Sequence, residues 1–359
     1  MKSFPLSGLK VLDLTRLLPG PVCTWHLASM GADVLKIEDK QGGDYARQFF
    51  LSKEDTEHNE PSVFYRAINH NKRNIKLNLK DKLDKEAFLE LIRGADLVIE
   101  SFRPTVMDKL GLGHEVLLSL KPSLVYCAIT GYGMYGPFKD MACHDINSLA
   151  LTGVLDQFRD FDARPILPNL QIADLLGGGV CAAMGCLAAL WRAKSSGLGG
   201  VVDVSMTDGV LAHNLTAQVA VHSRGRTLMP FEDLLNGGVP CYNLYSSADG
   251  AWFALGALEL KFWQNFCIAV NKPEWSDKHW SLGQEVGGKD SLELRDQIQR
   301  LIGSKEKSHW LTLFRSADCC MTPVLSLAES MQLPLFKERN MFTLDEQGKS
   351  WIKSPIKFS

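Results

Sequence analysis

The strongest constraint on this chain is a regular alternation of short apolar runs with longer helix-like ones over residues 8–206. GLKVLDLT (8–15), ADVLKIED (32–39), NIKLNL (74–79), DLVIES (96–101), SLVYCAIT (123–130) and VVDVSM (201–206) all read as strands. Between them, VCTWHLASMGA, DKLDKEAFLELIRGA and LLGGGVCAAMGCLAALWRAKSSG read as helices. Near-continuously apolar strands separated by helices predict a mostly parallel sheet covered on both faces. The expected fold class is therefore α/β, with a Rossmann-like large domain.

After about residue 210 the texture changes. GVPCYNLYSSADGAWFALGA predicts two strands joined by a turn at Ala248-Asp249-Gly250, followed by a tryptophan-rich helical region. This predicts a smaller α+β domain. The expected division is a large domain over 1–208, a linker over 209–228, the small domain over 229–325, and a segment 326–359 returning to the large domain. The polar stretch SKEDTEHNEP (52–61) is expected to be a mobile insertion.

Lys and Arg number 39 against 41 Asp and Glu, which argues against a nucleic-acid partner. The first residues lack the apolar core of a signal peptide, and the apolar runs are broken by Gly, Lys or Asp before they reach membrane-spanning length. A cytoplasmic protein without membrane association is expected. The nine cysteines are scattered without metal-ligand spacing, so no metal site is expected. GYGMYG (131–136) matches a dinucleotide-binding pattern, but Pro137 and Phe138 follow and it lies far from the first βαβ unit. It reads better as a turn that lets the backbone bend.

Three stretches carry titratable groups in suggestive settings. In MACHDINSLALTG, His144 and Asp145 stand side by side before an apolar run. In ADLLGGGVC, Asp174 precedes a glycine-rich helix start. It reads either as an N-cap or as a carboxylate beside N–H groups suited to negative charge, where glycines admit a ligand to the backbone. In GALELKFW, Glu259 opens a helix of the small domain, as a cap, a surface residue, or a carboxylate orienting a histidine.

GLKVLDLTRLLPGP, GADVLKIE, NHNKRNIKLNLK, ESFRPTVMDKLGLG, TGYGMYGP, CHDINSLALTG, ADLLGGG, SSGLGGVVDVSMTDG and GALELKFW occur in this order. Together they resemble the family III CoA-transferase superfamily of CaiB/BaiF type, and within it the α-methylacyl-CoA racemase branch. The resemblance implies an interlocked homodimer whose active sites are shared between subunits. It implies that Asp174 is the nucleophile in the transferases and a general base in the racemases. Racemases carry a histidine where His144 stands, and Glu259 falls where a glutamate partners it. By the same matching Asp145 is expected to cap the helix that follows it.

The implied reaction is epimerisation of a 2-methyl-branched acyl-CoA thioester by 1,1-proton transfer through an enolate. It needs an acid and a base on opposite faces of Cα, both working near neutrality. Histidine ordinarily titrates near neutrality, and burial would raise an aspartate. The thioester supplies the acidity, so no cofactor beyond the CoA moiety of the substrate and no metal is expected. Lys72, Arg73 and Arg103 stand at the family's CoA-contact positions, with Arg16 a looser candidate. The other reading of Lys72 and Arg73 is a solvated turn; that of Arg103 is an arginine paired to an acid at a helix start. Cys143 and Ser148 replace the Gly and Tyr usual in racemases, and Asp39 replaces a phosphate-facing arginine of some relatives. The competing function is CoA transfer between carboxylic acids through an aspartyl-acyl anhydride at Asp174.

Overall fold

The computed structural model describes residues 4–160, 162–344 and 350–359. The chain divides into two compact units: Met1–Asp156 with Leu167–Leu215 and Glu338–Ser359, and Gln157–Ile166 with Thr216–Lys337.

The first unit is built on six strands: β1 (Lys10–Asp13), β2 (Asp33–Glu38), β3 (Arg73–Lys76), β4 (Leu97–Glu100), β5 (Val125–Thr130) and β6 (Gly200–Ser205). They form one sheet in the order β3-β2-β1-β4-β5-β6. Every pairing is parallel, with Leu12 opposite both Leu35 and Val98. This is the doubly wound arrangement that the alternation predicts. Side-chain direction alternates along each strand, so successive residues enter different cores. Val11, Val34, Ile99 and Cys127 pack on one face; Leu12, Leu35, Val98 and Tyr126 pack on the other.

Ala173–Val180 winds as a π-helix and runs directly into the α-helix Cys181–Ser196, which Gly197 ends at φ 74°. Together they make a 24-residue helix apolar and long enough to cross a membrane by length and composition alone. That corrects the expectation that no run reaches such length. Ala173, Ala182, Ala183 and Cys186 belong to the core on one face of the sheet, as in a sheet-covering helix of a globular domain.

The segment 52–61 is not a free insertion. Ser52 and Asp55 form a capping box on the helix Lys53–Glu57. Arg66 then ties the segment down, through Asp55 at 2.9 Å, the Pro61 carbonyl at 2.9 Å, and Glu60. The expected linker is also largely helical, holding the end of Met206–His213 and the helix Leu215–Arg224. The strands β10 (Phe342–Leu344) and β11 (Ser350–Ile352) pair antiparallel near the chain's end.

In the second unit β7 (Tyr242–Ser246), β8 (Trp252–Gly256) and β9 (Met321–Pro323) form an antiparallel sheet. The turn between β7 and β8 falls at the expected residues, with Gly250 at φ 77°. Helices Leu260–Ala269, Lys289–Ile302 and Lys307–Phe314 supply Trp263, Phe266, Ile298, Trp310 and Phe314 to its core. The buried indoles keep partners: Trp263 Nε1 donates to Trp275 O at 2.9 Å and Trp310 Nε1 to Ile302 O at 2.8 Å.

Candidate active site

In a doubly wound sheet, ligands bind beyond the carboxyl ends of the strands, where the strand order reverses. Here that point lies between β1 and β4. The loops leaving these two strands carry Arg16 and Arg103, and they are joined: Arg16 N donates to Ser101 Oγ at 3.3 Å. The Arg16 guanidinium lies 5.7 Å from the Phe102 ring centre, within cation–π range. Arg103 is exposed. The acid partner of its alternative reading does not occur among the described residues.

Glu100, the last residue of β4, is buried at this same edge. It accepts from Phe102 N at 2.7 Å and from the Tyr126 hydroxyl at 3.2 Å. Burial pushes its carboxyl up to about 7 despite these donors. Its one signal in the sequence is a lone acid closing the apolar strand in VIES.

Lys72 and Arg73 are engaged in different ways. Lys72 Nζ is buried, bonded to the Pro21 carbonyl at 2.8 Å, Asn69 Oδ1 at 2.9 Å and Asp13 Oδ2 at 3.3 Å. Burial lowers its pKa to about 8, with Asp13 opposing. Its three protons already have acceptors, so it is neither a solvated turn residue nor a free phosphate ligand. Arg73 is exposed but holds Asp33 through two bonds, at 3.0 and 2.8 Å. Burial alone would raise Asp13, but Lys36, Lys72 and the Thr15 and Thr24 hydroxyls hold it well below the usual carboxylate range.

This buried network fixes the loops at the site. Lys36, fully buried on β2, pairs with Asp44 at 3.1 Å and donates to Thr15 O at 2.8 Å. Asp44 Oδ1 in turn accepts from Leu17 N at 3.1 Å and Ala46 N at 2.9 Å. The loop after β1, which carries Arg16, is thereby locked to the segment containing Tyr45.

His144 stands at the N-cap position of the helix Asp145–Leu151 with its side chain exposed. Its backbone N–H donates to Asn147 Oδ1 at 3.0 Å. Neighbouring Cys143 Sγ lies 3.3 Å from Ser148 Oγ, which lies 2.9 Å from Thr207 Oγ1; Thr207 donates to Gly131 O at 2.7 Å. The Cys143 and Ser148 that depart from the racemase pattern thus belong to a polar chain anchoring the histidine's loop.

Asp145 does not cap its own helix as expected. It is the first residue of that helix, and its Oδ1 accepts from the backbone N–H of Asp174 at 3.0 Å. It caps the helix that carries Asp174, and so joins the His144 and Asp174 elements directly. Asp174 is partly buried. Burial, then the nearby Asp145 charge, push its carboxyl from 3.8 up to about 7.

The ligand reading of the ADLLGGG helix start is corrected here, and the turn expected at GYGMYG is observed. Gly177, Gly178 and Gly179 are buried and serve helix packing rather than ligand approach. A Cβ on Gly177 would strike the Met206 carbonyl oxygen; one on Gly178 would lie 2.6 Å from Pro19 Cβ. The first N–H groups of this helix are also occupied, Asp174 N by Asp145 and Leu175 N by Gln171 O at 2.9 Å. GYGMYG is a turn: Gly133 and Gly136 adopt φ 86° and 97°. Its Gly133 and Met134 N–H groups bond Thr130 Oγ1 at 2.8 Å and Asp203 at 3.0 Å.

Glu259 lies in the second unit, at the N-cap position of Leu260–Ala269. Its carboxylate is exposed and makes no capping hydrogen bond.

Fold and site together define a doubly wound α/β enzyme with a neutral-range carboxyl at Asp174, whose backbone N–H bonds Asp145, the residue that follows His144. The chain belongs to CoA-transferase family III, whose model matches residues 6–359. It is 32% identical to the human alpha-methylacyl-CoA racemase over 98% of this chain and 86% of that protein. It is 29% identical to the acetyl-CoA:oxalate CoA-transferase of Acetobacter aceti, over 99% of this chain and 89% of that one. A CaiB/BaiF family protein from Brucella suis has a similar structure, at a TM-score of 0.85 and 25% identity, covering 100% of this chain and 93% of the other. The chain is therefore an enzyme of the family III CoA-transferase and racemase type.

Proposed function

We propose that this enzyme is a racemase of 2-methyl-branched acyl-CoA thioesters, acting by 1,1-proton transfer between His144 and Asp174. The observation that carries the reading is Asp174: a carboxyl at about 7, tethered through Asp145 to the helix that His144 begins. A carboxyl in that range both takes and returns a proton at neutral pH.

In the reaction one residue removes the proton on Cα. The C–H electron pair becomes the enolate double bond, and the carbonyl π pair moves to oxygen. The other residue delivers a proton to the opposite face, the carbonyl reforms, and the configuration is inverted. Arg16 and Arg103, whose guanidinium groups have no carboxylate partner among the described residues, are suited to the phosphates of CoA.

The same proposal includes Glu259 as the partner of His144, supplied by the second subunit of a homodimer. It places the enzyme in the cytoplasm, with no metal and no cofactor beyond the CoA of the substrate.

The competing reading is CoA transfer through an aspartyl-acyl anhydride. Hydroxylamine trapping during turnover separates the two. The racemase reading predicts Asp174 unmodified; conversion of Asp174 to its hydroxamate, dependent on acyl-CoA, would replace it with the transferase.

A further inference from the structure

The segment after β2 presents an aromatic surface that the proton-transfer chemistry does not use. Phe50 is 81% exposed and Phe49 43%, with Tyr45 at 46%. Their rings form a connected set with half-buried Phe64: Tyr45–Phe49 at 6.0 Å, Phe49–Phe64 at 6.3 Å and Phe50–Phe64 at 5.7 Å. Phe50 is also held at φ 56°, a left-handed conformation unfavourable for a bulky side chain. Backbone strain of this kind gathers where a ligand is met.

The patch is fixed in place beside the site. Gly178, on the helix of Asp174, packs against Pro19. Leu17, two residues earlier, bonds Asp44, and Tyr45 follows directly. The charges of Arg16 and Asp174 both act on the Tyr45 phenol. A thioester anchored by Arg16 with its Cα at Asp174 thus has Tyr45 as neighbour, and the phenylalanines beyond it. The arginines of this segment cannot greet an acidic acyl group. Arg47 is engaged with Glu38 at 2.7 Å, and Arg66 with Asp55 at 2.9 Å.

We propose that Tyr45, Phe49, Phe50 and Phe64 form the acyl subsite of this enzyme, and that it takes bulky apolar acyl groups rather than short dicarboxylic ones. The proposal rests on the acyl-CoA reading above and narrows its substrate class.

The test uses thioethers that bind without turnover: S-octyl-CoA and S-(5-carboxypentyl)-CoA, beside CoA, titrated calorimetrically into the wild type, Phe50→Gly and Phe49→Ala/Phe50→Gly. The wild type is expected to bind S-octyl-CoA at least tenfold tighter than CoA, and to bind the carboxylate no tighter than CoA. The double variant loses most of the octyl gain. Phe50→Gly also relieves the backbone, so it melts no lower than the wild type while losing part of that gain.

An octyl gain that survives in the double variant overturns the proposal, as does equal tightness for the carboxylate. A change of mass by light scattering in the variants also overturns it, because the patch would then be covered by a second copy of the chain. Binding is read apart from catalysis. Failure of α-proton exchange in the wild type would therefore remove the racemase reading and leave this subsite standing, whereas exchange with no octyl gain would do the reverse.

Discussion

Asp145 acts on the site in two ways, through a hydrogen bond that sets where Asp174 stands and through a charge that raises its pKa. Asp145→Asn keeps an acceptor for the Asp174 N–H but removes the charge, so the acid limb of the exchange–pH profile should move to lower pH with little loss at its plateau. Asp174 itself should lower stability. Its folded pKa of about 7 exceeds the ordinary carboxylate value of 3.8, so the folded state binds the extra proton between these values. The penalty is absent below pH 3.8, grows as pH rises, and is complete above about 7. Asp174→Asn should therefore stabilise the protein at pH 8, by no more than about 4 kcal/mol before solvent screening, and by nothing near pH 3.5; urea midpoints at the two pH values measure it. The two cations at Lys72 and Arg103 should separate in the same way. Lys72→Ala strands Asp13 in the interior and should cost about 3–5 kcal/mol. Arg103→Ala should leave the melting temperature unchanged and weaken CoA about tenfold, more at low salt. The adjacency of His144 and Asp145 was legible in the sequence, and so was the setting of Asp174. The fate of Lys72 was not, because its partner Asp13 stands 59 residues earlier and nothing local marks a lysine as buried.

At the scale of elements, the strands were legible because apolar residues run almost unbroken through them and helices intervene. Even Lys36 did not disguise β2, since its neighbours are apolar and its ammonium pairs with Asp44. The π-helix was not legible. It packs closely against Pro19–Ser29 and Met206–His213, and local propensity does not encode such long-range contacts. Its glycines were visible, yet the partner they admit is a helix and not a ligand. Gly177→Ala should cost about 1–3 kcal/mol, because the new Cβ meets the Met206 backbone carbonyl, which cannot rotate away. Gly94→Ala, in open space at the end of Lys82–Gly94, should be neutral or stabilise by up to about 1 kcal/mol. Chemical denaturation of the two variants compares them directly. The stretch 52–61 misled for a related reason: its polar composition suggests a loop, while Arg66 gathers its acids from a helix that follows.

For the whole molecule, His144 and Asp174 belong to one compact unit and Glu259 to the other. The proposed dimer makes a specific demand on this division. Neither Asp174→Asn nor Glu259→Gln should retain full exchange alone, but the two refolded together should recover about a quarter of wild-type exchange, from mixed dimers with one intact shared site. No recovery would mean that each chain completes its own site. The sheet could be read from the alternation of strands and helices; the proposed sharing of a site between chains could not, because nothing in one chain's periodicity records its partner. The most direct test of the account is proton exchange at Cα of 2-methylacyl-CoA in deuterated water, without an added carboxylic acid, for wild type, His144→Ala and Asp174→Asn. The wild type is expected to incorporate deuterium with inversion, and both variants to lose inversion. Absence of incorporation in the wild type, together with Asp174-dependent CoA transfer to an added carboxylate that survives His144→Ala, would contradict it.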